Sequence, residues 1–358
     1  MKKIEIILKN LLLKLLLLLK GKSNGPVKNT FDENSKILFI RLNRIGDALV
    51  TTPLLHEIKM SLKCKIYVLA DRKNCVAYTN NRDIDELVIF EKGIKGFLNI
   101  LRFIKDENID TVVDLHDDVS TTVSFLIALC NAPNKFGLGK KNKNIYTRTV
   151  PRPESKIHHV VDRIMEIAKL FNIHPDMSRV KLHYYLDKTS IDNAEKLISC
   201  KFNESRFLVG INISAGSQAR FWGIDNFKNL LDYLSHYNIN ILLLSSPRDS
   251  EAAAKIAGNN YNYFYSNDFS MFAAVISKLD LLFTPDTAVI HLASAYSIPT
   301  FGIFVKYNTE DVIWSPFNTK FDCIVTTNNS LNGITVDQVT AGLKPFLEKQ
   351  LLEYNAVK

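Results

Sequence analysis

Short apolar runs alternate with segments of helical periodicity along most of this 358-residue chain. Lys36–Leu42 (KILFIRL) reads as a buried strand, the following NRIGD as a turn, and a helical stretch then runs to about Leu62. Further strands are expected at Lys65–Ala70, Glu86–Phe90 and Thr111–Leu115, with helices near Phe97–Asp106 and through Ser124–Cys130. A linking region with a helical segment at His158–Phe171, followed by Pro175, leads to a second series. Its strands are Phe207–Ile213, Asn240–Ser246, Leu279–Phe283 and the PTFGIF run Pro299–Phe304. Strand alternating with helix is the pattern of a doubly wound parallel sheet, whose strands are buried on both faces. The implied α/β architecture is two Rossmann-like halves facing a cleft, over residues 23–185 and 186–358, with no solenoid-type repeat.

Residues 1–22 carry a different pattern. Lys9 and Lys14 interrupt the leucines, and the longest unbroken apolar run is Leu15–Leu19, short of the roughly 20 residues that a membrane span needs. On a helical wheel Lys2, Lys3, Glu5, Lys9, Asn10, Lys14 and Lys20 share one arc. Ile4, Ile7, Leu8, Leu11, Leu12, Leu15, Leu18 and Leu19 fill the other, while Ile6, Leu13, Leu16 and Leu17 blur the separation. This describes an amphipathic helix lying on an anionic membrane surface; a helix packed on the protein itself is the alternative. A cleaved signal peptide is disfavoured, because Lys14 sits within the apolar region and GKSNG offers no small-x-small site.

Composition narrows the class. With 46% hydrophobic residues the chain can bury two ordinary cores. Its five cysteines form no CxxC pair and are odd in number, which argues against a disulfide framework and a structural zinc site and fits a reducing cytoplasm. The net charge of +8 suits phosphorylated substrates or anionic lipid; no aromatic-interleaved basic run points to nucleic acid.

The stretch TPDTAVIHLASAYSIPTFGIF, Thr284–Phe304, is the richest in candidate chemistry. A strand ends at Pro285, and Asp286 and Thr287 are placed to cap a helix carrying Ala288, His291, Leu292 and Ala295. Backbone N–H groups and a polar pair would then face the crevice at the carboxyl end of the sheet, a position suited to a nucleotide diphosphate.

Four segments occur in an order that resembles glycosyltransferase family 9, the bacterial lipopolysaccharide heptosyltransferases. They are IRLNRIGDALVTTPLLHEIK, VVDLHDDVSTTVSFLIALCNAPNKFGLG, ARFW at Ala219–Trp222, and PDTAVIHLASAYSIPTFGIF, together spanning roughly Lys36 to Phe304. The resemblance implies a GT-B fold with an N-terminal acceptor domain and a C-terminal nucleotide-sugar domain. It also implies metal-independent, inverting transfer with no cofactor. The expected donor is ADP-heptose and the expected acceptor a lipid-anchored core oligosaccharide, reached from the cytoplasmic face of the inner membrane. Another nucleotide sugar, or a membrane-surface binding protein that has lost turnover, are the alternatives.

Such a transfer needs a base for the acceptor hydroxyl and hydrogen-bonding or positive groups around the leaving diphosphate. Asp47, after a strand and Gly46, is the candidate base; a cap on the helix that begins there is the alternative, and the two roles can coexist. Arg220 is the candidate cation for the diphosphate, where the family usually has lysine. Ser214, Gly216 and Ser217 offer hydroxyls and a flexible backbone, joined by Asp286, Thr287, Ala288 and His291. Ala288 stands where the family usually has glycine, and its methyl would narrow the approach to the donor. Glu251 is either a ribose-binding acid or a solvated helix start, and Trp222 reads as packing before sugar platform. On the acceptor side, Arg44 and the basic loop at Lys140, Lys141 and Lys143 are candidate anion contacts, with a plain solvated loop as the alternative. His116, Asp117 and Asp118 are expected on a surface loop of the acceptor cleft. Adjacent side chains diverge, so they make a poor metal set.

Overall fold

The computed structural model describes Leu11 and residues 27–357. The amphipathic helix expected across residues 1–22 falls, Leu11 apart, outside them. Among the described residues no helix is long and apolar enough to cross a membrane. The chain divides into two compact units, Met1–His183 and Tyr184–Lys358.

The first unit is built on six parallel strands: β1 (Lys36–Arg41), β2 (Lys65–Asp71), β3 (Glu86–Phe90), β4 (Thr111–Asp114), β5 (Asn134–Leu138) and β6 (Arg148–Val150). Between them lie α1 (Ile45–Leu49), α2 (Thr52–Leu62), α3 (Ile94–Asp106) and α4 (Thr121–Leu129), and α5 (Val160–Met165) follows. The strand order is β3-β2-β1-β4-β5-β6. Every residue of β4 and β5 is buried, as expected for strands covered on both faces. The expected turn NRIGD is partly helical, since α1 already begins at Ile45. The single helical segment expected at His158–Phe171 is α5 followed by a 3-10 turn at Glu166–Phe171. α5 opens on His159, whose ring accepts from Val161 N while Asp162 closes back on the His159 N–H as a capping box.

The second unit repeats the plan. It contains α6 (Lys188–Lys201), β7 (Leu208–Asn212), α7 (Ile224–Ser235), β8 (Asn240–Ser245), α8 (Ser250–Ala257) and β9 (Asn262–Tyr265). There follow α9 (Phe269–Ile276), β10 (Leu281–Pro285), α10 (Val289–Ala295), β11 (Thr300–Val305), β12 (Phe321–Thr326) and α11 (Val336–Val357). The order β12-β11-β10-β7-β8-β9 is the first unit's order counted from its own first strand. In each sheet the strand order therefore reverses once, between β1 and β4 and between β7 and β10, while all strands stay parallel. Open α/β sheets bind ligands beyond the carboxyl ends of the strands at that switch point. The core of the second unit packs the fully buried Trp222 against Phe227 and Phe283, and its indole Nε1–H donates to Ile334 O at 2.8 Å. Trp222 is thus packing, with its one polar atom satisfied.

Candidate functional site

In the first unit the carboxyl ends of β1 and β4 gather the charged side chains. β1 ends on Arg41, whose side chain is only 1% exposed. Its Nε donates to Asp47 O at 2.9 Å and its Nη2 to Asp47 Oδ1 at 2.7 Å, while Nη1 donates to Leu115 O just beyond β4. Asp47 lies in the first turn of α1 and retains 16% side-chain exposure. The capping role open to it from sequence falls away: Arg44 occupies the N-cap position, with no side-chain cap bond. Arg44 is exposed at the same strand end.

His116 and Lys140 lie elsewhere than sequence reasoning put them. Neither is exposed on a surface loop; they are 1% and 8% exposed and belong to a buried network around Asp114, the last residue of β4. Lys140 Nζ donates to Asp114 Oδ2 and to His116 O, both at 2.7 Å. Tyr146 OH also donates to Asp114 Oδ2, at 2.6 Å, and His116 Nδ1 meets Asp114 Oδ1 at 2.8 Å. His116 Nε2 accepts the Leu42 N–H at 3.2 Å, so Nδ1 carries the proton and the neutral ring bridges the ends of β1 and β4. Burial holds the His116 pKa below the usual histidine range despite the Asp114 carboxylate. Gly137 makes room for this arrangement, since a Cβ there would stand 2.9 Å from the Tyr146 ring.

The neighbours of His116 diverge. Asp117 is buried and accepts from both Arg152 and Arg163, each through Nε and Nη2 at 2.7–3.1 Å, whereas Asp118 has a 97% exposed side chain. Burial pushes the Asp117 carboxyl up, but the bonds from Arg163 and Arg152 outweigh it and hold the pKa low. Lys141 and Lys143 remain exposed. Among the described residues no group of three His, Cys, Asp or Glu side chains is placed to hold a metal ion.

In the second unit the corresponding position is organised by Asn212, which ends β7. Its Nδ2 donates to Thr284 Oγ1 at 2.8 Å and to Thr287 Oγ1 at 3.3 Å, and its Oδ1 accepts from Ser214 N. The loop after β7 is therefore locked to the loop after β10. Ser214 Oγ accepts from Ser246 N at 2.7 Å, which ties in the end of β8. Gly216 and Ser217 are exposed, and a Cβ at Gly216 would meet no atom within 4 Å. Arg220 Nη2 stands 3.1 Å from Asp286 Oδ2, with the two side chains 34% and 22% exposed. This cation and this carboxylate, expected from sequence as separate donor contacts, are paired by the fold.

The N-cap of α10 also differs from expectation. Ala288 occupies it without a side-chain cap, and Thr287 Oγ1 instead accepts from Val289 N at 3.3 Å. His291 is 3% exposed on α10, its ring 6.1 Å from that of Trp314. Glu251 is exposed in the first turn of α8, beyond β8. Arg41, Asp114, Tyr146 and Asn212 were absent from the sequence reading. The available signal was a polar residue closing an otherwise apolar strand, as in KILFIR, TVVD and LVGIN.

Two successive doubly wound units, each with charged and polar side chains at its switch point, are the architecture of the GT-B fold. A family model, glycosyltransferase family 9 (heptosyltransferase), matches residues 97–338, and the chain belongs to that family. The lipopolysaccharide core heptosyltransferase OpsX of Haemophilus influenzae is 23% identical over 235 residues, covering 62% of this chain and 65% of that protein. A family 9 glycosyl transferase from Veillonella parvula superposes with a TM-score of 0.77 at 19% identity, over 90% of this chain and 100% of that one. The Escherichia coli ADP-heptose lipopolysaccharide heptosyltransferase II gives 0.71 at 16% identity, over 88% and 99%.

Proposed function

We propose that this protein transfers heptose from ADP-heptose to a lipopolysaccharide core acceptor, with inversion and without a metal ion. The family assignment supports the reaction class, and the names of the Haemophilus and Escherichia coli relatives support the sugar, the nucleotide and the core acceptor. The observation that carries the chemistry is the Asp47 carboxylate. It is partly exposed at the switch point of the first sheet and, among the described residues, held through one oxygen, Oδ1.

Asp47 takes the proton of the acceptor hydroxyl as the oxygen bonds to the anomeric carbon. The bond from that carbon to the diphosphate breaks, and its electron pair leaves with ADP. In the second unit Arg220, Ser217 and the backbone at Gly216 receive the negative charge that develops on the diphosphate. Asp286 and Thr287 line the same strand ends, with Glu251 beyond β8. Arg44, exposed beside Asp47, is the acceptor-side contact this reading retains. Because the acceptor is lipid-anchored, the Lys/Leu-rich residues 1–20 are assigned to an anionic membrane surface on the cytoplasmic side.

The test is ADP release from ADP-heptose with and without core acceptor. Release should require acceptor, and Asp47→Asn should lower kcat by about 10²-fold or more with donor binding retained. Turnover near wild type in that variant, or activity that EDTA abolishes and a divalent ion restores, would overturn the corresponding part of this reading.

A further inference from the structure

We infer that Arg41 is a positioning residue for Asp47, holding one carboxylate oxygen and the main-chain carbonyl of that residue so that the second carboxylate oxygen is left for the acceptor's proton. This rests on the reading of Asp47 as the base. A guanidinium buried to 1% exposure is costly unless paired and hydrogen-bonded, and Arg41 spends its donors on three acceptors. Two of them belong to Asp47, O at 2.9 Å and Oδ1 at 2.7 Å; the third is Leu115 O on the far side of the switch point. From the other side Asn74 Nδ2 donates to Arg41 O at 2.9 Å, which anchors the strand end itself.

The need for such a clamp follows from the helix that carries Asp47. α1 has five residues and no side-chain N-cap, too little to define its own orientation in water. Tertiary contacts must set where its carboxylate lies, and the Arg41–Asp47 ion pair does so. A fork fixes two oxygens at once, whereas a lysine ammonium at the same place supplies charge without that planar geometry. The clamp also keeps Oδ1 engaged, so proton transfer falls to Oδ2.

The test compares Arg41→Lys, Arg41→Met and Asp47→Asn with the Arg41→Lys/Asp47→Asn double variant, reading kcat, donor KM and Tm. Misplacing a catalytic group by about 1 Å costs about 10²-fold, so Arg41→Met should lower kcat by about that factor at unchanged donor KM, and Arg41→Lys should recover part of it. In the Asp47→Asn background Arg41→Lys should lower kcat no further, because the two residues act as one unit. If Arg41→Met does not fold, Arg41→Lys and the double variant decide the matter. A kcat for Arg41→Lys equal to wild type, or an undiminished Arg41→Lys effect in the Asp47→Asn background, overturns the positioning role. Wild-type turnover in Asp47→Asn alone overturns the base reading and this inference with it.

Discussion

Replacing Lys140 by methionine is expected to remove about 3–5 kcal/mol of folding stability from the first unit, the cost of stripping one partner from a buried ion pair. The upper part of that range applies because the side chains of Lys140 and Asp114 are 3% and 1% exposed and Nζ lies 2.7 Å from Oδ2. Methionine fills similar volume without charge, so Asp114 keeps only Tyr146 OH, the His116 ring and the His116 N–H as donors. A loss of this size is a large share of the roughly 5–15 kcal/mol that holds a domain folded, and it should lower Tm by about 10 °C. The pH dependence has a definite sign. In the wild type burial pushes the Asp114 carboxyl up, but the Lys140 charge and the His116 bond outweigh it and hold it well below the usual range. That stabilisation is present above the unfolded pKa of about 4 and is lost as pH falls below it. In Lys140→Met the Lys140 charge no longer opposes burial, only the remaining hydrogen bonds do, so the folded pKa should rise and the deficit should grow as pH rises through it. Thermal unfolding followed by circular dichroism should therefore separate the variant from wild type more at about pH 8 than at about pH 5. Adding Asp114→Asn, which removes the stranded charge, should recover part of the loss. Equal Tm values at the higher pH, or a gap that does not change with pH, would refute the reasoning.

Two further outcomes are expected. Arg220→Ala should lower turnover at saturating donor, while Arg220→Lys should keep much of it, since the cation survives and only the fork is lost; if both match wild type, Arg220 does not act on the diphosphate. Deleting residues 1–20 should leave transfer to a soluble, delipidated acceptor intact and reduce recovery on anionic vesicles, since each lysine near such a surface adds about 1 kcal/mol. Equal vesicle recovery of the truncated and full-length proteins would remove the anchor.

Much of the architecture was legible in the chain itself, because a buried parallel strand must be apolar on both faces. KILFIR, KIYVLAD, LVGIN and NILLLS all announce themselves in this way. Strands such as β5 (NKFGL) and β6 (RTV) were not legible, since their polar residues are satisfied only once the neighbouring elements arrive. Lys135 is 1% exposed, and its ammonium donates to Ala128 O in the last turn of α4, the helix that precedes β5. The site divides in the same way. The sequence placed Asp47, the loop after β7 and the Asp286–Thr287 turn just beyond strands, and the fold has each of them at the end of a strand. Only the tertiary structure determined how those side chains are used: His116 and Lys140, polar by composition, went inward to satisfy Asp114, and Arg220 met Asp286 from 66 positions away in sequence. Hydrophobic periodicity is a local property and survives in one dimension. The pairing of buried charges depends on which strand ends lie side by side, and the β1/β4 and β7/β10 crossovers set that.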